Sequence, residues 1–179
     1  MAKGNGLMLK TTTTLRTFEA DIEAYRLRFG KAEGERRFYA EHAATSERVV
    51  EGNLALQEGI VALFNLLIGA AETAFSNGNA FIGVGDSTTA ASDTQTGLQA
   101  VTNKLYKAME ATYPIVGAAA DKKVTFRSAF GAAEANFAWE EWTVASGNSD
   151  AADNLNRKVE SLGTKASGTW QLTVEISAA

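Results

Sequence analysis

The apolar and polar positions along the chain fall into stretches of different period. Near the C-terminus Trp170, Leu172, Val174 and Ile176 alternate with Gln171, Thr173, Glu175 and Ser177. A period of two is that of a strand with one buried face. Residues 122–129 alternate in the same way, with Val124 and Phe126 against Thr125 and Arg127. Ala80–Gly85 reads as a short strand that follows the turn-forming Ser76-Asn77-Gly78-Asn79, and Leu155, Arg157 and Val159 mark another, closed by Leu162-Gly163. Between Asn136 and Val144 the parity changes: Phe137 and Trp139 fall on one side, Trp142 and Val144 on the other. One extra residue at Glu140-Glu141, a β-bulge, returns all four to the same face.

Elsewhere the period is helical. Residues 53–68 carry Leu56, Ile60, Leu63, Phe64 and Leu67 on one face and Leu54, Val61 and Ile68 on a second, with Asn53 placed to cap the start and Gly69 the end. Apolar residues nearly all round predict a helix buried on several sides. It is too short, and carries too many polar residues (Gln57, Glu58, Asn65), to span a bilayer, which takes about 20 apolar residues. Leu98, Val101, Leu105 and Met109 predict a second helix over residues 97–112, stopping before Tyr113-Pro114 because the residue before proline avoids the helical region.

The first fifteen residues, ending Thr11-Thr12-Thr13-Thr14-Leu15, show no helical period and read as an extended arm. Residues 16–51 are densely and evenly charged, with Phe18, Ile22, Tyr25 and Phe29 forming one narrow apolar stripe. The predicted fold is α+β: an antiparallel β-sandwich packed with two core helices, preceded by an extended and helical N-terminal arm. The expected division is residues 1–52 for the arm and 53–179 for the core domain. Core side chains are expected to include Leu56, Ile60, Leu63, Phe64, Leu67, Phe126, Phe137, Trp139, Leu172 and Val174.

Composition narrows the chemistry. The 179 residues include no cysteine and one histidine, His42. Disulfides, thiol catalysis and Cys-ligated metals are thereby excluded, and so is a multi-histidine metal site. His42, in a charged helical stretch, reads as a surface residue. A net charge of −4 argues against a surface that neutralises nucleic-acid phosphates. The first residues, Met1-Ala2-Lys3-Gly4-Asn5-Gly6, lack the apolar core of a secretory signal.

The candidate motifs are each outweighed. Gly83-Val84-Gly85 follows a strand, but the third glycine of a dinucleotide fingerprint is replaced by Thr88, so a tight turn is expected. Glu140 and Glu141, as neighbours on a strand, point to opposite faces and cannot flank one glycosidic bond; they read as solvated charges. Asp86, Asp93, Asp121, Asp150 and Asp153 lie in loops without calcium-loop spacing. Trp139, Trp142 and Trp170 could form a sugar-binding platform, but alternating strand positions make them core residues. No catalytic, cofactor-binding or metal-binding residue is assigned.

Several stretches resemble a module of tailed-bacteriophage virion structural proteins. They are Asn79–Ala90 (NAFIGVGDSTTA), Thr94–Ala100 (TQTGLQA), Lys107-Ala108-Met109, Tyr113-Pro114, Val124–Arg127, Glu134–Trp142 (EANFAWEEW) and Asn154–Lys165 (NLNRKVESLGTK). The resemblance runs from about Asn53 to Ile176. It implies a non-enzymatic virion component assembled in the host cytoplasm, without cofactor, nucleic acid or membrane. The role implied is capsid decoration, or cementing, by bridging capsid subunits; the alternative is a tail-fibre or tail-attachment protein, with a carbohydrate-binding role. The partners implied are the major capsid protein, other virion subunits and further copies of the chain. Because the stripe Phe18, Ile22, Tyr25 and Phe29 is too narrow to be a core, it is expected to carry those contacts.

Overall fold

A computed structural model describes residues 9–178. The fold is α+β, with two antiparallel five-stranded sheets packed face to face and three helices. In chain order the elements are β1 (Leu9–Phe18), α1 (Ile22–Phe29), α2 (Lys31–Glu41), β2 (Ser46–Glu51), β3 (Leu54–Ala55) and α3 (Gln57–Leu67). They continue with β4 (Phe81–Gly85), β5 (Lys104–Ala108), β6 (Ile115–Val116), β7 (Lys123–Phe130), β8 (Ala138–Ala145), β9 (Asn156–Thr164) and β10 (Thr169–Ala178). One sheet has the order β2-β1-β10-β7-β6 and the other β3-β9-β8-β4-β5.

The alternating strands sit as their patterns require. Leu172 and Val174 of β10 and Phe126 of β7 are buried between the sheets, with Trp170, Val124 and Ile176 packed against them. The pairing of β8 with β9 shifts register between Trp139 and Glu141, which places the bulge at Glu140. Trp139, Trp142 and Val144 are all fully buried as a result, while Phe137 packs on the core from a half-buried position. The indoles are also satisfied as donors. Trp139 Nε1 donates to the Ala135 carbonyl at 2.9 Å, and Trp142 Nε1 crosses between the sheets to Thr13 Oγ1 at 3.1 Å. The strand expected to close at Leu162-Gly163 runs on to Thr164.

Two expectations change. Residues 9–15 are no arm. They belong to β1, which pairs with β10 along its whole length on one side and, over Thr12–Thr17, with β2 on the other. Thr11, Thr13 and Leu15 face inward and are buried, because β-branched threonines suit a pleated surface whose hydroxyls find partners. The segment before residue 53 thus supplies two strands of one sheet. Residues 1–8 of the expected arm lie outside the described residues.

The helix expected over 97–112 does not form either. Residues 104–108 pair with β4 as β5, and residues 86–103 cross the outer face of the second sheet as an ordered strap. Its anchor is Glu141, whose carboxylate accepts from the backbone amides of Gln99 at 3.0 Å and Ala100 at 2.7 Å. Local helical spacing was outweighed by a contact 41 residues distant.

Candidate functional site

The chain's own core leaves one strongly apolar element outside it. Helix α3 begins at Gln57, where backbone N–H groups are met from neighbouring segments: Leu56 N donates to Leu155 O and Gln57 N to Asp93 O. Gly59 lets the helix approach the start of β9, since a Cβ there would lie 2.4 Å from the Leu155 Cα. This close approach determines which side turns inward. Leu56, Gly59 and Ala62 are buried, and Ile60, Leu63 and Leu66 are half-buried. The opposite side stays in solvent: Val61, Phe64, Leu67 and Ile68 are 56%, 61%, 80% and 78% exposed. Positions 61, 64 and 68 stack on one helix face. Phe64 and Leu67 are therefore not core residues, contrary to their helical pattern, because α3 lies across one end of the sandwich rather than within it.

Beneath α3 lies a cavity of about 470 Å³. Ile60, Leu63 and Leu66 form its roof, and Phe75, Phe126, Leu155 and Ile176 contribute to its walls. Its rim includes Lys122 and Ala118. Asn156 also lines it. That side chain is 2% exposed, and among the described residues its Nδ2 is the one buried side-chain polar atom without a hydrogen-bond partner. Its orientation is fixed, because Oδ1 accepts from Val144 N at 3.0 Å and a flipped amide would set donor against donor. An unmet buried donor costs about 1–3 kcal/mol.

The buried charged groups elsewhere serve the fold. Arg157 Nε donates to Glu141 Oε2 at 2.6 Å, and its remaining nitrogens reach Gln95 Oε1 and the Thr89 carbonyl, both on the strap. Glu141 is thus a buried ion-pair partner and not the solvated charge expected; Glu140, on the other side of the bulge, accepts from Ser161 Oγ. Glu110 is buried where Tyr39 O–H, Arg127 Nε and Gln171 Nε2 converge on its carboxylate, and burial followed by the Glu110 charge pushes the Tyr39 hydroxyl pKa far up. Lys165 is buried among neutral acceptors, the Gly131 carbonyl at 2.7 Å and Asn136 Oδ1 at 2.9 Å, and desolvation lowers its pKa. Of the loop aspartates, Asp150 accepts from Leu98 N and Tyr106 O–H. Among the described residues no group of three or more acidic or histidine side chains is arranged to hold a metal ion.

The apolar stripe of the N-terminal segment is used within the protein. Phe18, the last residue of β1, and Ile22 are buried in a small second cluster with Phe38 and Ala129, with Tyr25 packed on its edge. Phe18 and Phe38 meet edge to face at 5.3 Å. Phe29 is half-buried under the guanidinium of Arg37, 4.3 Å from its ring centre. Helices α1 and α2 therefore fold back over the outer face of the first sheet, where Phe18 and Ile22 of the stripe are buried and Tyr25 and Phe29 are half-buried. His42 is half-buried beside this cluster, its ring 5.0 Å from that of Phe38. The sequence signal for α3 as the surface element lies in Gly59 and Ala62, the only small side chains on an otherwise bulky helix, which mark the side that touches the protein.

Comparison of the chain with protein-family models, with curated proteins and with solved structures found no match.

Proposed function

We propose that this protein is a structural component of a tailed-bacteriophage particle, a capsid decoration or cement protein that docks onto capsid subunits through the outer face of α3. The observation that carries the reading is the run of Val61, Phe64, Leu67 and Ile68 on a helix seated against β9 through Gly59 and tied down by the Leu56 and Gln57 amides, a run that no other described residue covers. Exposed apolar surface of this kind marks an interaction site. The resemblance to virion proteins spans this helix and supplies the class of partner. The protein acts by binding, without catalysis: its buried carboxylates are each occupied by structural donors. A tail-attachment role would use the same surface. The sugar-platform alternative has little support, because Trp139 and Trp142 are fully buried and Trp170 packs on Trp139 with ring centres 4.9 Å apart.

Purified protein added to particles that lack it tests the proposal, with cryo-electron microscopy to locate the bound copies. Wild-type protein is expected to bind capsids, and Phe64→Asp and Leu67→Asp variants to remain folded and lose binding. Capsid binding unchanged in both variants would reject α3 as the contact, and density on the tail alone would reject the decoration role.

A further inference from the structure

Beside α2, on the outer face of the first sheet, two cavities of about 350 Å³ and 450 Å³ adjoin as one groove, and Arg16 and Arg127 line both. The strand register brings these two cations together. Thr14, Thr173 and Arg127 form one row across β1, β10 and β7, and Arg16 and Gln171 form the next. Leu15, Leu172 and Phe126 point inward, so the residues alternating with them point outward. Each arginine is held through its Nε. Arg127 Nε donates to the buried Glu110 carboxylate at 2.6 Å, and its guanidinium carbon lies 4.1 Å from the ring centre of Tyr113 and 5.4 Å from that of Tyr39. Arg16 Nε donates to Glu47 at 2.6 Å. Among the described residues the terminal nitrogens of both arginines have no protein acceptor, and they are not among the buried atoms, so they open into the groove. A guanidinium is a flat fork of donors that matches the two oxygens of a carboxylate. Arg127, clamped by a buried ion pair and two rings, is such a fork with its direction set in advance, which lowers the ordering cost of binding. Glu110 and Glu47 already offset part of each positive charge, so the remaining field suits one negative charge better than the two of a phosphate dianion.

We propose that this groove binds a carboxylate group, which accepts hydrogen bonds from the free ends of Arg16 and Arg127 over Thr173 on the strand between them. The carboxylate can belong to a free organic acid or to an acidic side chain of a partner, since both present the same flat pair of oxygens. No residue of α3 lines the groove, so the site is independent of the docking face and of the virion reading.

Full-length protein is titrated at constant ionic strength with glutarate, as the free acid, and with the peptide acetyl-Gly-Glu-Gly-amide, as the side chain. Nuclear magnetic resonance is expected to show saturable shifts of the Arg127 Nε–H signal. Glutaramide, with the same skeleton and no charge, is expected to cause none. Binding of glutarate alone would name a free acid as the ligand and binding of the peptide alone a partner's side chain; either result supports the site. Arg16→Gln should weaken binding by about tenfold or more, a difference of about 1.4 kcal/mol. Thr173→Asp places the protein's own carboxylate between the two arginines and should abolish binding. Both variants leave the Arg127–Glu110 pair intact, so neither exposes a buried charge, and each serves should the other fail to fold. Absence of saturable shifts with both probes overturns the proposal, as does equal binding of glutaramide, tighter binding of inorganic phosphate, or affinity unmoved by either substitution.

Discussion

Arg157 and Glu141 meet at 2.6 Å with neither side chain open to solvent, and each also holds the strap that crosses their sheet. The pair joins β8, β9 and residues 86–103 in a single polar unit. Removing one partner of a buried pair leaves the other charged and unpaired, at a cost of about 3–5 kcal/mol. Arg157→Met and Glu141→Gln are each expected to lower stability by that order in urea unfolding. The double variant is expected to lose clearly less than the sum, and strict additivity would show that the two act separately.

The orientation of α3 predicts a contrast between residues that look alike in the sequence. Leu56→Ala should cost about 2–5 kcal/mol, the range for a fully buried leucine. Leu67→Ala should change stability by no more than about 0.5 kcal/mol, as expected for an exposed position. Equal losses measured by chemical denaturation would place both faces of the helix in the core.

Gly59 faces backbone and not a pliable side chain, so a methyl group there cannot be accommodated by a rotamer change. Gly59→Ala should therefore destabilise, although alanine favours an isolated helix by roughly 1 kcal/mol. A rise in melting temperature would show that α3 can move away from β9.

Removing the segment before residue 53 should abolish folding. Without β1 and β2, β10 loses its neighbour along its whole length. The truncated chain is expected to show no cooperative melting by circular dichroism. A sharp transition would make the remaining strands a self-sufficient unit.

Alkaline conditions should unfold the protein through its tyrosines. Burial, then the Glu110 charge, raises the pKa of Tyr39; burial, then the hydrogen bond to Asp150, raises that of Tyr106. Above pH 10 the unfolded chain releases these protons while the folded state keeps them. The unfolded state then binds fewer protons, so stability is present below pH 10 and falls as pH rises beyond it. Lys165 opposes this: its pKa is lowered by burial, so its penalty is relieved as pH rises toward 10.5. The two tyrosines, both shifted far, outweigh it. Absorbance at the phenolate band should show Tyr39 and Tyr106 ionising only with unfolding, and early titration of all four tyrosines would refute this.

The strands legible in the sequence are those whose inner face is apolar at every second position. β10 is the plainest, and the bulge at Glu140 followed from the need to put Trp139 and Trp142 on one face. What remained hidden depended on distant partners. Thr11 and Thr13 look polar until β10 and Trp142 are beside them. Leu98 and Met109 keep a helical spacing and are buried, yet Val101 between them is 89% exposed, because the Glu141 carboxylate holds the neighbouring amides in a non-helical path. The packing of the N-terminal stripe was hidden for a related reason. A seam as narrow as Phe18, Ile22, Tyr25 and Phe29 can be covered by a single short helix, and α2 follows immediately in the chain. An apolar helix with no charged face gives no hint of which side its neighbours occupy, except through Gly59 and Ala62.

The full-length pairing of β1 with β10 has a mechanical consequence. Leu9 lies opposite Ala178 at one end of the ladder and Phe18 opposite Thr169 at the other. A pull applied through Leu9 and Ala178 would peel the two strands apart one hydrogen bond at a time, instead of loading the whole ladder in shear. Tension applied instead between Leu9 and Thr169, at opposite ends of the same ladder, would load every rung together, so the resistance of this edge depends on the direction from which it is pulled.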